Sequence, residues 1–248
     1  MHKAALITGG SRGIGRATAI KLAELGYDVC VVFQRDADAA AVLVDQLVTL
    51  GVKALSLRAD VMEPDAIAAA FVQAIDAIGP LTAVVNNAGI VGDKSRFDDI
   101  EVKRLKQILG VNVLGVMYSC QQAIRHMSTK HGGVGGSIVN VSSVASRIGS
   151  PGEYVDYAAS KGAVDALTLG LAKEVATEGV RVNVVRPGII DTDIHASGGQ
   201  PDRAQRLSPQ IPMGRPGEAE EVAATIAWLV SDQASYCTGA IVDVSGGR

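Results

Sequence analysis

Short apolar runs spaced by helix-length stretches constrain this chain more than any other feature. The runs are Ala4 to Thr8, Val29 to Phe33, Lys53 to Leu57, Leu81 to Val85, Ser137 to Val141, Val182 to Val185 and Ala240 to Val244. Each is nearly continuous in apolar residues rather than alternating, the pattern of strands covered on both faces in a parallel sheet. Between them the pattern predicts helices over about Arg16 to Leu25, Asp36 to Leu50, Pro64 to Ile78, Asp99 to Leu109, Val111 to Met127, Tyr157 onward and Glu218 to Leu229. Gly26, Gly51 and Gly79-Pro80 act as stops, and Pro64 suits a first helical turn. Repeated strand-helix units with right-handed crossovers give an α/β fold, a doubly wound parallel sheet of about seven strands with helices on both faces.

At 248 residues the chain is expected to form one domain, 1–248. From Ile189 to Pro216 the alternation breaks into Gly, Pro, Ser and charged residues, which reads as a substrate lid. A net charge of -3 offers no basic field to nucleic acid or to an anionic membrane, leaving a small molecule as the expected partner. The first apolar run is too short for a signal peptide or a membrane span, which implies a cytoplasmic protein. Cys30, Cys120 and Cys237 lie far apart among apolar neighbours and read as buried free thiols. None of His2, His126, His131 and His195 has metal-ligand spacing to a second His or Cys, so no metal is expected. His195, in the presumed lid, reads either as a solvated loop residue or as a substrate contact. Trp228 reads as core or subunit contact.

In a doubly wound sheet the ligand crevice lies at the carboxyl ends of the strands. Gly9 to Gly15, Asp60, Asn86 to Gly89, Ser142 and Ser143, and Pro187-Gly188 all follow predicted strands. The first of these is a glycine turn between strand and helix, where the backbone can approach a phosphate and the helix N-terminus can face it. Tyr157 and Lys161, four apart on a helix, share a face. A cation beside a phenol favours phenolate and would bring the tyrosine toward working pH, where it can exchange a proton with a substrate oxygen. An ordinary surface pair has the same spacing. Tyr154, with Ala158 four positions on, has no such cation.

With these motifs in order, the chain resembles a single-domain short-chain dehydrogenase/reductase over essentially its whole length, most of all β-ketoacyl carrier protein reductases and sugar dehydrogenases. The resemblance rests on Thr8-Gly-Gly-Ser-Arg-Gly-Ile-Gly15, Asn86-Asn-Ala-Gly89, Asn112, the serine pair, Tyr157-Ala-Ala-Ser-Lys161, Pro187-Gly188 and Thr192. It implies a Rossmann-type fold, a nicotinamide cofactor, a carbonyl or secondary alcohol substrate and a homotetramer. Tyr157 would be the general acid/base, Lys161 would tune it and hold the nicotinamide ribose, and Asn112 would support a proton-carrying water. Ser143 would polarise the substrate oxygen, with Ser142 as second choice because one extra residue separates serine from tyrosine.

The same resemblance assigns Gly9, Ser11, Arg12, Gly13, Ile14 and Gly15 to the phosphates. It assigns Asp60 and Val61 to the adenine, and Asn87, Ala88 and Gly89 to the adenosine ribose. Pro187, Gly188, Ile190 and Thr192 would flank the carboxamide. NAD binders carry an acidic residue after the second strand, whereas a 2′-phosphate prefers arginine. Here Phe33-Gln34-Arg35, together with Arg12, predicts NADP(H), with NAD(H) as the alternative and Asp36 as the contrary sign. Competing classes are an epimerase or dehydratase using the same Tyr/Lys pair and a non-catalytic nucleotide sensor. Relatives of the first class carry a large carboxyl-terminal substrate region, while Arg248 follows closely on the last predicted strand.

Overall fold

A computed structural model describes residues 2–194 and 198–248. In chain order it runs β1 (Ala4–Thr8), α1 (Gly13–Glu24), β2 (Asp28–Phe33), α2 (Ala37–Thr49), β3 (Ala54–Arg58), α3 (Pro64–Ile78) and β4 (Ala83–Asn86). Then come α4 (Val102–Leu109), α5 (Gly115–Met127), β5 (Gly136–Val141), α6 (Ala145–Ile148), α7 (Val155–Glu174) and β6 (Val180–Pro187). The last elements are α8 (Arg203–Leu207), α9 (Ala219–Val230) and β7 (Ile241–Val244).

The strands form one parallel sheet in the order β3-β2-β1-β4-β5-β6-β7. Strand order reverses between β1 and β4, where Thr8 pairs with Asn86, and this reversal opens the crevice. The two-residue period of each strand divides the core between the faces. Leu6, Cys30, Val32, Val84, Ile138 and Val182 pack with α3, α5 and α7. Ile7, Val29, Val31, Val85, Val139 and Val185 pack with α1, α2 and α9.

Helix ends follow local chemistry. Asp36 accepts from the Ala39 N–H as the α2 cap, Pro64 opens α3, and Glu218 and Glu221 form a reciprocal box at the start of α9. Sequence reasoning placed the start of α1 at Arg16, but the helix begins at Gly13, because the end of the glycine turn already forms its first turn. The predicted helices Asp99 to Leu109 and Val111 to Met127 are one rod, α4 and α5 joined by a π turn at Gly110–Leu114. No proline or cap separates them, and the wider turn absorbs the extra residue. Gly110 and Gly115 let that rod approach β3's loop: a Cβ on them would lie 2.6 Å from Met62 Cε and 2.8 Å from Val61 Cγ2.

The described part of segment 189–216 holds more regular structure than its composition suggests. It contains α8 and a 3₁₀ turn at Ser208–Gln210, and Ile189, Ala204, Leu207 and Ile211 form its own small apolar cluster. Among the described residues, no helix is long and apolar enough to cross a membrane.

Candidate active site

The glycine turn is held by the loop after β4. Asn87 Nδ2 donates to the carbonyls of Thr8 (3.2 Å) and Gly9 (2.8 Å), while Thr8 Oγ1 accepts from the N–H groups of Asn87 (3.2 Å) and Ala88 (3.1 Å). Gly9 adopts φ 64°, and a Cβ there would sit 2.8 Å from Ala88 Cα. At Gly15 a Cβ would sit 2.3 Å from the Gly9 oxygen, so only glycine closes the turn. Gly13, at φ 51°, faces Thr192 across the crevice, 3.5 Å from where its Cβ would be. The first turn of α1 carries no acidic residue and points its free N–H groups and positive dipole at this cradle. These residues fit the pyrophosphate of a nicotinamide dinucleotide.

Ile14, Asn87, Gly89, Ser143, Tyr157, Lys161, Pro187, Gly188, Ile190 and Thr192 line one crevice. Ser142 and Ser143 divide there. Ser142 is buried with its hydroxyl donating to the Lys161 carbonyl (3.1 Å), a bond that fastens β5 to α7. The Ser143 hydroxyl accepts from the Ala145 N–H (3.1 Å) and hydrogen-bonds the Tyr157 phenol.

Lys161 Nζ donates to the Val141 carbonyl at 2.8 Å and lies 5.7 Å from the centre of the Tyr157 ring. Burial lowers its pKa from 10.5 to about 8, partly opposed by Asp165. The phenol departs from the sequence expectation. Burial pushes the Tyr157 pKa up, and the groups acting against burial are Ser143 and Arg203 rather than Lys161. The ammonium faces the ring and is committed to a backbone carbonyl, so spacing on the helix did not deliver it to the hydroxyl.

The buried face of α7 carries several polar side chains, each tied to the fold by at least one hydrogen bond, although Asp165 Oδ1 has none. Arg104 grips Asp156 through two bonds (2.8 and 3.0 Å) and also donates to the Asp93 carbonyl, pinning the start of α7 to α4 and the loop after β4. Ser160 donates to the Tyr157 carbonyl (2.7 Å), and Arg186 donates to Asp165 (2.8 and 3.0 Å). Asn112 is fully buried in the π turn. Its Oδ1 accepts from the Ile90 N–H (2.9 Å), and its Nδ2 donates to the Ile90 carbonyl (2.9 Å) and to Ser160 Oγ (3.1 Å). It thereby braces the loop behind Gly89, whose Cβ position lies 3.4 Å from Lys161 Nζ and 3.5 Å from Asn112 Oδ1.

At the neighbouring strand ends, Asp60 is engaged twice: Oδ1 accepts from the Met62 N–H (3.0 Å) and Oδ2 from Gln34 Nε2 (2.6 Å). Val61 is buried against Gly115 through its side chain. Arg35, Ser11 and Arg12 stay at the surface or half-buried beside the turn. Asp36, the contrary sign for cofactor choice, spends its carboxylate on the α2 cap.

Sequence reasoning missed several participants. Arg58, the last residue of β3, donates to the Gln34 carbonyl (3.1 Å) and brings a second cation, beside Arg35, to the end of β2; its charge on an apolar strand was the available signal. Tyr154 was predicted to lack a cation, yet the Arg203 guanidinium lies 5.2 Å from its ring centre. That cation arrives from a distant segment, which helical spacing cannot register. Both residues line the crevice, and Ser150, at φ 46°, sits in the turn that leads into Tyr154, a strained conformation for a non-glycine residue. Cys30 and Cys120 are buried, their thiols pushed up to about 12 by burial, whereas Cys237 is only half-buried. His195 lies outside the described residues. Among those described, no group of His, Cys, Asp and Glu is placed to hold a metal.

A switch-point crevice that brings a glycine turn together with Ser143, Tyr157 and Lys161 is the arrangement of a dinucleotide-binding α/β fold. The chain belongs to the short-chain dehydrogenase/reductase family. A family profile described as Enoyl-(Acyl carrier protein) reductase matches residues 9–248. The chain is 52% identical over 244 residues to the uncharacterized oxidoreductase YgfF of Escherichia coli (strain K12), covering 98% of this chain and 99% of that protein. It is 36% identical over 247 residues to the 3-oxoacyl-[acyl-carrier-protein] reductase FabG of Staphylococcus aureus (strain Mu50 / ATCC 700699), covering 100% and 98%. Among solved structures, the short-chain dehydrogenase/reductase from Serratia marcescens BCRC 10948 superposes with a TM-score of 0.91 at 34% identity, over 99% of this chain and 97% of that one.

Proposed function

We propose that this protein is a cytoplasmic, single-domain oxidoreductase that transfers hydride between NADP(H) and a carbonyl or secondary alcohol, with Tyr157 as general acid/base. The supporting observation is the Tyr157 phenol hydrogen-bonded by Ser143 on the wall facing Gly188, Ile190 and Thr192. The bound cofactor supplies or accepts the hydride. Burial keeps the proton on Tyr157 at neutral pH, the form that donates to a carbonyl oxygen as it gains negative charge. Ser143 orients that oxygen toward the phenol. Lys161, with ammonium donors beyond the one given to Val141, holds the nicotinamide ribose. Asn112 positions the loop behind Gly89 and supports the water that returns protons to Lys161.

Arg12, Arg35 and Arg58 favour the 2′-phosphate, and Asp36 does not compete because it caps α2. Buried Cys30 and Cys120 thiols suit a reducing cytoplasm. Segment 189–216 acts as the lid. Exposed Leu109, Leu114, Leu169 and Trp228 suit helix contacts in a homotetramer. The test is loss of NADPH absorbance with a panel of ketones, run in parallel with NADH. Tyr157→Phe should bind NADPH unchanged and lose on the order of 10²–10⁴ in turnover. Retained turnover would remove the phenol from its role, and a clear preference for NADH would overturn the cofactor assignment.

A further inference from the structure

Nicotinamide chemistry leaves one prominent group in the crevice unused. Arg203 enters from α8, 13% exposed, and lies over the Tyr154 ring. One Nη donates to Glu153 Oε2 at 2.8 Å. Its Nε is buried and has no hydrogen-bond partner. A buried guanidinium donor without an acceptor is costly, and such a group in a ligand crevice marks where an acceptor binds.

The surrounding charges point to the same occupant. Glu153 does not belong to Arg203 alone, because Lys94 Nζ approaches its other oxygen at 3.4 Å. Arg248 lies within electrostatic reach of both Arg203 and Glu153, and its Nη1 is also buried without a partner. Arg203, which lines the crevice, therefore shares its one carboxylate with Lys94, and Arg248 adds a third positive charge within electrostatic range. Positive charge in excess of the one carboxylate, with Arg203 largely withdrawn from water, favours an additional anion. Arg203 and Tyr157 line the same crevice, so an anion held by Arg203 shares that crevice with the reacting oxygen.

We propose that Arg203 is the specificity determinant for an anionic substrate: it binds a carboxylate carried by the carbonyl compound and so sets the distance from that anchor to Tyr157. The substrates are then oxo acids, or hydroxy acids in the reverse direction, in preference to neutral ketones. The planar guanidinium fork matches a carboxylate in two parallel hydrogen bonds, which selects for orientation as well as charge. Tyr154 supports the fork from one side through ring contact, and Gln200 donates to the Tyr154 hydroxyl, tying this recognition to the same segment. This inference rests on the carbonyl chemistry proposed for Tyr157.

The experiment compares kcat/KM of the full-length protein with NADPH on 2-oxo, 3-oxo and 4-oxo acids and on their methyl esters, which keep the skeleton and remove the charge. At the matching chain length the acid should exceed its ester by about tenfold or more, the worth of a hydrogen bond to a charged group. Arg203→Gln should reduce that ratio to near one, chiefly through KM. Arg203→Lys, which keeps the charge and loses the fork, should fall between. Glu153→Gln, which frees Arg203 from its internal competitor, should raise the ratio. A purely structural arginine would move acid and ester together, so an unchanged ratio in Arg203→Gln overturns the proposal. Calorimetric titration of butanoate into the NADPH complex separates the two readings. Binding that Arg203→Gln abolishes upholds the anion site even if no carbonyl compound is turned over. Absence of butanoate binding, together with equal use of acids and esters, refutes the site while leaving the oxidoreductase reading intact.

Discussion

Gly15→Ala tests whether the cradle depends on the close approach of its backbone. A methyl group there would lie 2.3 Å from the Gly9 oxygen and 2.5 Å from Asn87 Nδ2, where ordinary contact begins at 3.4 Å. The turn and the first residues of α1 must therefore separate by about 1 Å. The methyl would enter where Asn87 Nδ2 donates to the Gly9 carbonyl at 2.8 Å, so the bond joining the two loops is the first casualty. Overpacking costs about 1–3 kcal/mol and a stranded buried polar group about another 1–3. For a chain of this size that combination lowers Tm by on the order of 10 °C. A 1 Å displacement of positioning groups costs about 10²-fold in function, so NADPH affinity should fall in proportion. Differential scanning fluorimetry with and without NADPH, and NADPH titration by fluorescence, read both effects. An alanine variant with wild-type melting and wild-type NADPH affinity would show that the turn has room to spare and refute the packing argument.

Two further outcomes follow from the buried charges. Lys161 has a folded pKa of about 8 against an ordinary 10.5, so between these values the folded protein binds fewer protons than the unfolded chain. Its contribution to stability therefore rises with pH across that window, while below about pH 8 the cost of burying the charge is fully present. At about 1.4 kcal/mol per pH unit the rise is on the order of 3 kcal/mol. Urea denaturation of wild type and Lys161→Met from pH 7 to 10.5 should show this rise only in the wild type, and parallel curves would contradict it. Arg104→Gln strands a carboxylate that is 2% exposed and should cost about 3–5 kcal/mol, visible as a lowered urea midpoint. The Arg104→Gln/Asp156→Asn double variant should recover part of that loss, and additive losses would show that the pair is not coupled.

Much of the site was legible in the chain because its parts sit at strand ends, where local pattern and topology coincide. Gly9 to Gly15, Asn87, Gly89, Ser143, Tyr157, Gly188, Ile190 and Thr192 each follow or flank a segment whose type is set by apolar periodicity. Winding those segments into one parallel sheet gathers their ends into a single crevice. Continuous apolar runs and a 3.6-residue period are properties of neighbours in sequence, so strands and helices could be read before any coordinates, whereas the face of the sheet each helix covers could not.

What the sequence could not specify is where long side chains end. Ser142 and Ser143 differ by one position, yet one hydroxyl fastens β5 to α7 and the other reaches Tyr157, a choice made by the backbone as it leaves the strand. Asp36 follows Arg35 as though competing for the cofactor, and only its bond to the Ala39 N–H assigns it to α2. Lys161 has the right spacing to sit beside Tyr157, but burial and the Val141 carbonyl decide what its ammonium does. Arg203 meets Tyr154 from 49 residues away in the chain, because the segment after β6 folds back over the crevice. Backbone pattern is encoded locally by propensity and periodicity, whereas electrostatic environment is a sum over groups that only the folded chain brings into range, and the chemistry of this site depends on that sum.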